Sequence, residues 1–370
     1  MEAETRALDR EILKFILKYS DKTSAPDSEF ERLAFKIFEY QFERNGFYRR
    51  LCESEGKRPD RLAGWKEIPA MPAVGFKELV LTTFPRKKVA RVFQTSGTTQ
   101  DLKGAHFFDT LKLYQAAVLP VFKKYLLPDN AKCRFFFLTA SPKDLPHSSL
   151  SHMMGVVNAG FSYPKKGKFY VKNGFILFDE LVRDLRSNQK RKIIILATAF
   201  SLRAFLDFLK MKKTPLKLAV GSRLMETGGF KGKGREISKP RLYVECEKWI
   251  GISKDHCVSE YGMTELSSQF YDTTLRDKIS KLKRKPFKEG PAWLKTLVID
   301  PRTGKEIKKG KAGVLRHFDL ANRGSVIAIQ TEDLGRAVGG GFELLGRAPQ
   351  ATLRGCSLIY EDLVLSGAER

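Results

Sequence analysis

Three observations predict an α/β fold for this chain. Apolar bursts of buried-strand length recur through its middle, each burst ends in a polar turn, and the intervening stretches are long enough for helices. A stretch richer in β signals follows over residues 291–345. Together they predict mixed sheets with covered faces. At 370 residues the chain can form one large domain with a small appendage, or two ordinary domains.

Residues 1–50 read as helices. Ile12, Phe15 and Ile16, then Phe30, Leu33, Ile37 and Phe38, recur at helical spacing on either side of the turn residues Ala25-Pro26-Asp27-Ser28. They are expected to form a flank or lid rather than a site. Strands are predicted at Cys133–Thr139, Ile193–Ala197 and Leu216–Val220. Later, Leu297-Val298-Ile299 is a strand running into the turn Asp300-Pro301-Arg302-Thr303-Gly304, and Gly313–Phe318 is another. The run Met153–Val157 reads as core packing rather than an acyl tunnel, since Met packs anywhere. There is no internal repeat.

Composition narrows the function classes. A hydrophobic content of 42% is globular, and no apolar stretch approaches the roughly 20 residues that span a bilayer. Met1–Arg6 lacks a basic-then-apolar signal. The five cysteines are an odd set without zinc spacing, which points to free thiols in a reducing cytoplasm. The net charge of +25 comes from scattered lysine runs without a nucleic-acid motif. Nucleic acid is therefore not the expected partner; attraction for a nucleotide, an anionic lipid or an acidic carrier protein is.

The segment Thr95-Ser96-Gly97-Thr98-Thr99-Gln100-Asp101-Leu102-Lys103-Gly104 follows the short apolar run Val89–Phe93. Glycines allow backbone N–H groups to approach an anion, the hydroxyls add donors, and Lys103 adds positive charge, so the loop reads as a phosphate cradle. It is not a Walker loop, because that spacing is absent. Further along stand Tyr261-Gly262-Met263-Thr264-Glu265, then Thr331-Glu332-Asp333-Leu334-Gly335-Arg336, then Gly346-Arg347. Three motifs in this order resemble the adenylate-forming superfamily, whose first loop this chain matches except at Gln100 and Leu102. Within it, Pro146–Ser151, Thr227–Gly232, Glu260–Gln269 and Leu353–Leu358 resemble the acyl-protein synthetases, the fatty-acid-activating subunits of bioluminescence fatty-acid reductase complexes.

The resemblance implies that residues 1–346 form the large domain of that superfamily, with residues 347–370 as a short remnant of a truncated C-terminal subdomain. It implies ATP and Mg²⁺ as cofactors and a fatty acid as substrate. Thr95, Ser96, Gly97, Thr98, Thr99 and Lys103 would meet the phosphates, and Glu265 would hold Mg²⁺, a hard cation that prefers oxygen ligands. Tyr261, Gly262 and Thr264 would line the nucleotide, Gly228 and Gly229 would lie against adenine, and Asp333 would accept from both ribose hydroxyls with Arg347 nearby. His147, in a loop after a predicted strand, either contacts the acyl carboxylate or gates its pocket, or is a loop imidazole bonded to backbone.

Cys356, between Gly355 and Ser357, looks like the counterpart of the acylated cysteine of these synthetases. A thiolate captures a mixed anhydride as a thioester better than any other protein nucleophile, and Arg354 would favour the thiolate. Cys257 is the second candidate. The expected activity is fatty-acid adenylation followed by transfer to a protein thiol, serving an acyl reductase subunit. The alternatives are transfer to coenzyme A or an acyl carrier protein without self-acylation, and a non-catalytic acyl or nucleotide-binding module.

Overall fold

The computed structural model describes residues 2–95, 103–161, 166–228 and 237–348. Its contacts divide the chain into two compact units. The first comprises Met1–Ala117, Met263–Gln269 and Phe287–Arg370; the second comprises Val118–Gly262 and Phe270–Pro286.

The first unit opens with α1 (Glu2–Lys18), α2 (Asp27–Arg44) and α3 (Gly46–Ser54). Their apolar stripes bury Ile12, Phe15 and Ile16 on one helix and Phe30, Leu33, Ile37 and Phe38 on the next, the positions whose spacing predicts helices. Asn45 caps α3 by accepting from the Tyr48 N–H at 3.2 Å. Strand β1 (Met71–Pro72) and the single turn α4 (Gly75–Glu78) lead to the hairpin β2 (Arg91–Gln94) and β3 (Ala105–Phe108), which brackets the hydroxyl-rich loop. Helix α5 (Lys112–Leu126) carries the chain into the second unit.

There the elements alternate as the apolar bursts predict. In order they are β4 (Arg134–Ala140), α6 (Ser149–Phe161), β5 (Lys168–Lys172), β6 (Phe175–Ile176), α7 (Phe178–Ser187), β7 (Ile193–Thr198), α8 (Ala199–Met211), β8 (Arg223–Thr227), α9 (Lys239–Ile250), β9 (Cys257–Tyr261), β10 (Phe270–Asp272) and α10 (Thr274–Ile279). Five strands run parallel in the order β5-β4-β7-β8-β9, with β6 and β10 antiparallel at the margins. Because β5 and β7 lie on opposite sides of β4, the order reverses between β4 and β7, and such a switch opens a crevice at the carboxyl ends of the strands. Phe136, Leu138, Ile193 and Ile195 share one core with Leu202, Leu206 and Leu209 of α8. Met153, Met154 and Val157 are buried in α6, as core packing predicts.

One sequence expectation fails here. Leu216–Val220 is not a strand. The N–H groups of Leu216 and Leu218 donate to the carbonyls of Trp249 and Ile250 at the end of α9, satisfying acceptors that the helix leaves open. The strand proper, β8, starts at Arg223.

The chain then returns to the first unit with β11 (Lys288–Glu289), β12 (Leu294–Ile299), β13 (Ala312–Asp319), β14 (Ala328–Val338) and β15 (Gly341–Arg347). The last four form an antiparallel meander; β11 pairs with β15, and β1 pairs in parallel with β14. Trp65 packs edge-on between Phe30 and Phe318, with ring centroids 5.2 and 4.9 Å away, so the N-terminal helices rest on this sheet. Gln41 of α2 joins them by hydrogen bonds to the 322–327 turn: it donates to the Asn322 carbonyl and accepts from the Ile327 N–H, each at 2.8 Å.

Candidate active site

In the first unit the hydroxyl-rich loop is closed at its base by a pair of hydrogen bonds. The Thr95 N–H donates to the Gly104 carbonyl at 2.9 Å, and the Gly104 N–H donates to Thr95 Oγ1 at 2.8 Å. A Cβ on residue 104 would stand 3.0 Å from Thr95 Cγ2, so the closure requires glycine or a shifted threonine. Lys103 is exposed beside it. Ser96, Gly97, Thr98 and Thr99 lie outside the described residues, as do Gly229 and Cys356.

Thr264 and Glu265 form a turn after β9, held from two sides. His106, in register with Phe93 on the hairpin, places Nδ1 2.9 Å from the Thr264 carbonyl oxygen. Asn322 donates Nδ2–H to the Glu265 carbonyl at 2.8 Å. Downstream, Asp319 is fully buried and accepts from the Ser267 N–H, the Ser268 hydroxyl and the Ala321 N–H at 2.9 to 3.0 Å. Burial nevertheless lifts its carboxyl to about 6.

Glu265 itself is 8% exposed. Burial raises its carboxyl from 4.5 to about 7; its own backbone N–H and the charge of Arg347 pull the other way, Asp333 adds to the rise, and Lys77 opposes it. Asp333 and Arg347 are register partners across β14 and β15, with Arg347 Nε 3.8 Å from Asp333 Oδ1. Thr331 Oγ1 accepts from the Asp333 N–H at 3.1 Å and so orients its backbone. The first unit thus brings together the loop base at Thr95 and Lys103, the Thr264–Glu265 turn and the Asp333–Arg347 pair.

The second unit carries the remaining described candidates at the carboxyl edge of its parallel strands. Gly228 follows β8 with φ +74°, a left-handed conformation that glycine adopts freely, and leaves open space where a Cβ would be. Tyr261 ends β9, its ring 5.8 Å from that of Phe270, and Gly262 follows it exposed. His147 is exposed in the loop that follows the carboxyl end of β4. Cys257 is unsuited to nucleophilic attack: it is fully buried in β9, and a hydrogen bond with Cys246 together with burial pushes its thiol well above the usual range.

Several polar residues escaped the sequence reading because no spacing marks them. His106 lies about two hundred residues before Asp319 and Asn322 in the sequence, yet all three bond to the short stretch from Thr264 to Ser268. Arg323 is another: 1% exposed, it makes paired hydrogen bonds to Asp9 of α1 and to Asp109, at 2.8 to 3.2 Å. In the second unit Glu226 is fully buried and takes Lys239 Nζ and the Tyr243 hydroxyl at 3.0 Å each, while Lys239 also reaches Ser259 Oγ. An Asp-Leu-Ala-Asn-Arg-Gly turn of high polarity between two strands is the only local sign of the first group.

Comparison with known proteins gives the chain its family. The model of the acyl-protein synthetase family LuxE matches residues 16–364. A long-chain-fatty-acid–luciferin-component ligase of Aliivibrio fischeri is 21% identical over 349 residues, covering 90% of this chain and 88% of that protein. One of the same name from Vibrio harveyi is 21% identical over 342 residues, covering 88% and 86%. Among solved structures, a 2-hydroxyisobutyryl-CoA ligase with 2-HIB-AMP and CoA matches with a TM-score of 0.63 at 16% identity, over 88% of this chain and 70% of that one. That likeness is one of fold, the fold of adenylate-forming ligases. Among the described residues no helix is long and apolar enough to cross a membrane. With the family model spanning nearly the whole chain, this protein belongs to the acyl-protein synthetase family LuxE and is a ligase.

Proposed function

We propose that this protein activates a long-chain fatty acid with ATP and Mg²⁺ to the acyl adenylate and then passes the acyl group to the Cys356 thiol as a thioester, for delivery to an acyl reductase partner. The observation that carries the reading is the gathering of the loop base, the Glu265 turn and the Asp333–Arg347 pair in one unit. The names of the relatives from Aliivibrio fischeri and Vibrio harveyi support the substrate class.

In the first step a carboxylate oxygen attacks the α-phosphorus, the bond to the bridging oxygen breaks, and pyrophosphate leaves with the electron pair. Thr95 to Thr99 and Lys103 receive the β- and γ-phosphates. Glu265 fits a hard divalent cation: its carboxylate is buried, and no ion pair to it forms among the described residues. The cation would neutralise charge on the phosphates. On the motif match, Asp333 would accept from the ribose hydroxyls, the Gly228-Gly229 pair would lie against adenine, Tyr261, Gly262 and Thr264 would line the nucleotide, and His147 would contact the acyl carboxylate. In the second step the Cys356 thiolate attacks the acyl carbonyl and AMP leaves.

An intact-protein mass spectrum after incubation with ATP, Mg²⁺ and a fatty acid tests this. A hydroxylamine-labile acyl adduct is expected, and Cys356→Ser should abolish it while leaving pyrophosphate exchange largely intact. An adduct that persists in Cys356→Ser would move the nucleophile elsewhere. A soluble thioester formed on added coenzyme A or carrier protein, with no adduct, would make those the acceptors.

A further inference from the structure

His106 occupies a distinctive place. It is 2% exposed and sits on β3, the strand that closes the phosphate loop, two residues after Gly104. The Thr264 carbonyl at 2.9 Å can only accept, so Nδ1 carries the proton. Burial holds the ring's pKa down to about 4, which keeps it neutral in ordinary buffers. Phe76 meets it edge-on at 5.5 Å and Phe108 packs on it at 4.1 Å, so the imidazole has little freedom to turn. Asn322 grips the next carbonyl, that of Glu265. Two successive carbonyls of one turn are therefore each held by a buried donor, one from the hairpin and one from the far side.

We propose that His106 is a positioning residue for the nucleotide and metal site. Its Nδ1–H bond to the Thr264 carbonyl locks the turn bearing Glu265 to the hairpin bearing Thr95 and Lys103, so that the metal carboxylate and the phosphate loop keep one spacing. This rests on the ATP and Mg²⁺ reading above. Phosphates that must contact both elements at once are sensitive to that spacing, because preorganised donors act only where charge develops.

Three variants separate the roles: His106→Asn, whose amide nitrogen can take the place of Nδ1; His106→Gln, whose amide nitrogen reaches instead toward the place of Nε2; and His106→Leu. Each is assayed for fatty-acid-dependent pyrophosphate exchange across MgATP concentrations, with thermal unfolding in parallel. His106→Asn should stay within about threefold of the unmutated protein. His106→Gln and His106→Leu should raise the KM for MgATP by about tenfold, the effect of one lost hydrogen bond of about 1.4 kcal/mol, well beyond any change in kcat. If the leucine variant does not fold, the asparagine and glutamine pair decides. An unchanged KM in His106→Gln, or an asparagine variant as impaired as glutamine, overturns the proposal alone. Absence of exchange in the unmutated protein overturns the ATP reading and this proposal with it.

Discussion

Replacing Glu265 by Gln should make the protein more stable in mild alkali and at the same time a much slower catalyst. The carboxyl rises from 4.5 in an exposed setting to about 7 in the fold, chiefly through burial. At about 1.4 kcal/mol per pH unit, ionised Glu265 costs the folded state about 3 kcal/mol relative to the unfolded chain. Between about pH 4.5 and 7 the folded protein holds a proton here that the unfolded chain has released, so this group makes stability fall as pH rises through that window. Glutamine keeps the size and removes the charge. The variant should match the unmutated protein near pH 5 and exceed it by about 3 kcal/mol at pH 8.5, which for a chain of this length is about 4 °C in unfolding temperature. Scanning calorimetry at both pH values measures the difference. Pyrophosphate exchange should fall on the order of 10² or more, since an amide is a poor ligand for a hard cation. Equal destabilisation of Glu265→Gln at both pH values would refute the burial argument, and exchange at the unmutated rate would refute the metal assignment.

Arg323→Met leaves Asp9 and Asp109 facing each other without their shared cation and should cost about 3–5 kcal/mol in denaturant unfolding. Adding Asp9→Asn and Asp109→Asn should recover most of the loss; a single variant within about 1 kcal/mol of the unmutated protein would show the node to be dispensable. Asp333→Asn swaps one carboxylate acceptor for a donor and should weaken nucleotide binding by about 1.5–3 kcal/mol, read by calorimetric titration. Equal affinity of the unmutated protein for ATP and 2′,3′-dideoxy-ATP would contradict the ribose role.

The alternation of apolar bursts and helical stripes was enough to determine the α/β class, because burial on both faces of a parallel strand forces continuous apolar runs such as Phe135–Leu138 and Ile193–Ala197. Spacing within short segments likewise singled out Thr95–Gly104, Tyr261–Glu265 and Asp333 as candidates, since a loop or a turn is built from neighbours. The failed strand at Leu216–Val220 shows the limit: the same apolar residues serve to close the end of α9, and nothing local distinguishes the two uses. His106, Asn322 and Arg323 were invisible for a related reason. Each is an ordinary polar residue until the fold buries it, and only then must its donors find partners from distant segments. The tertiary structure alone decided that Glu265 is desolvated, because the charge state of a carboxylate depends on what surrounds it and not on its place in a motif.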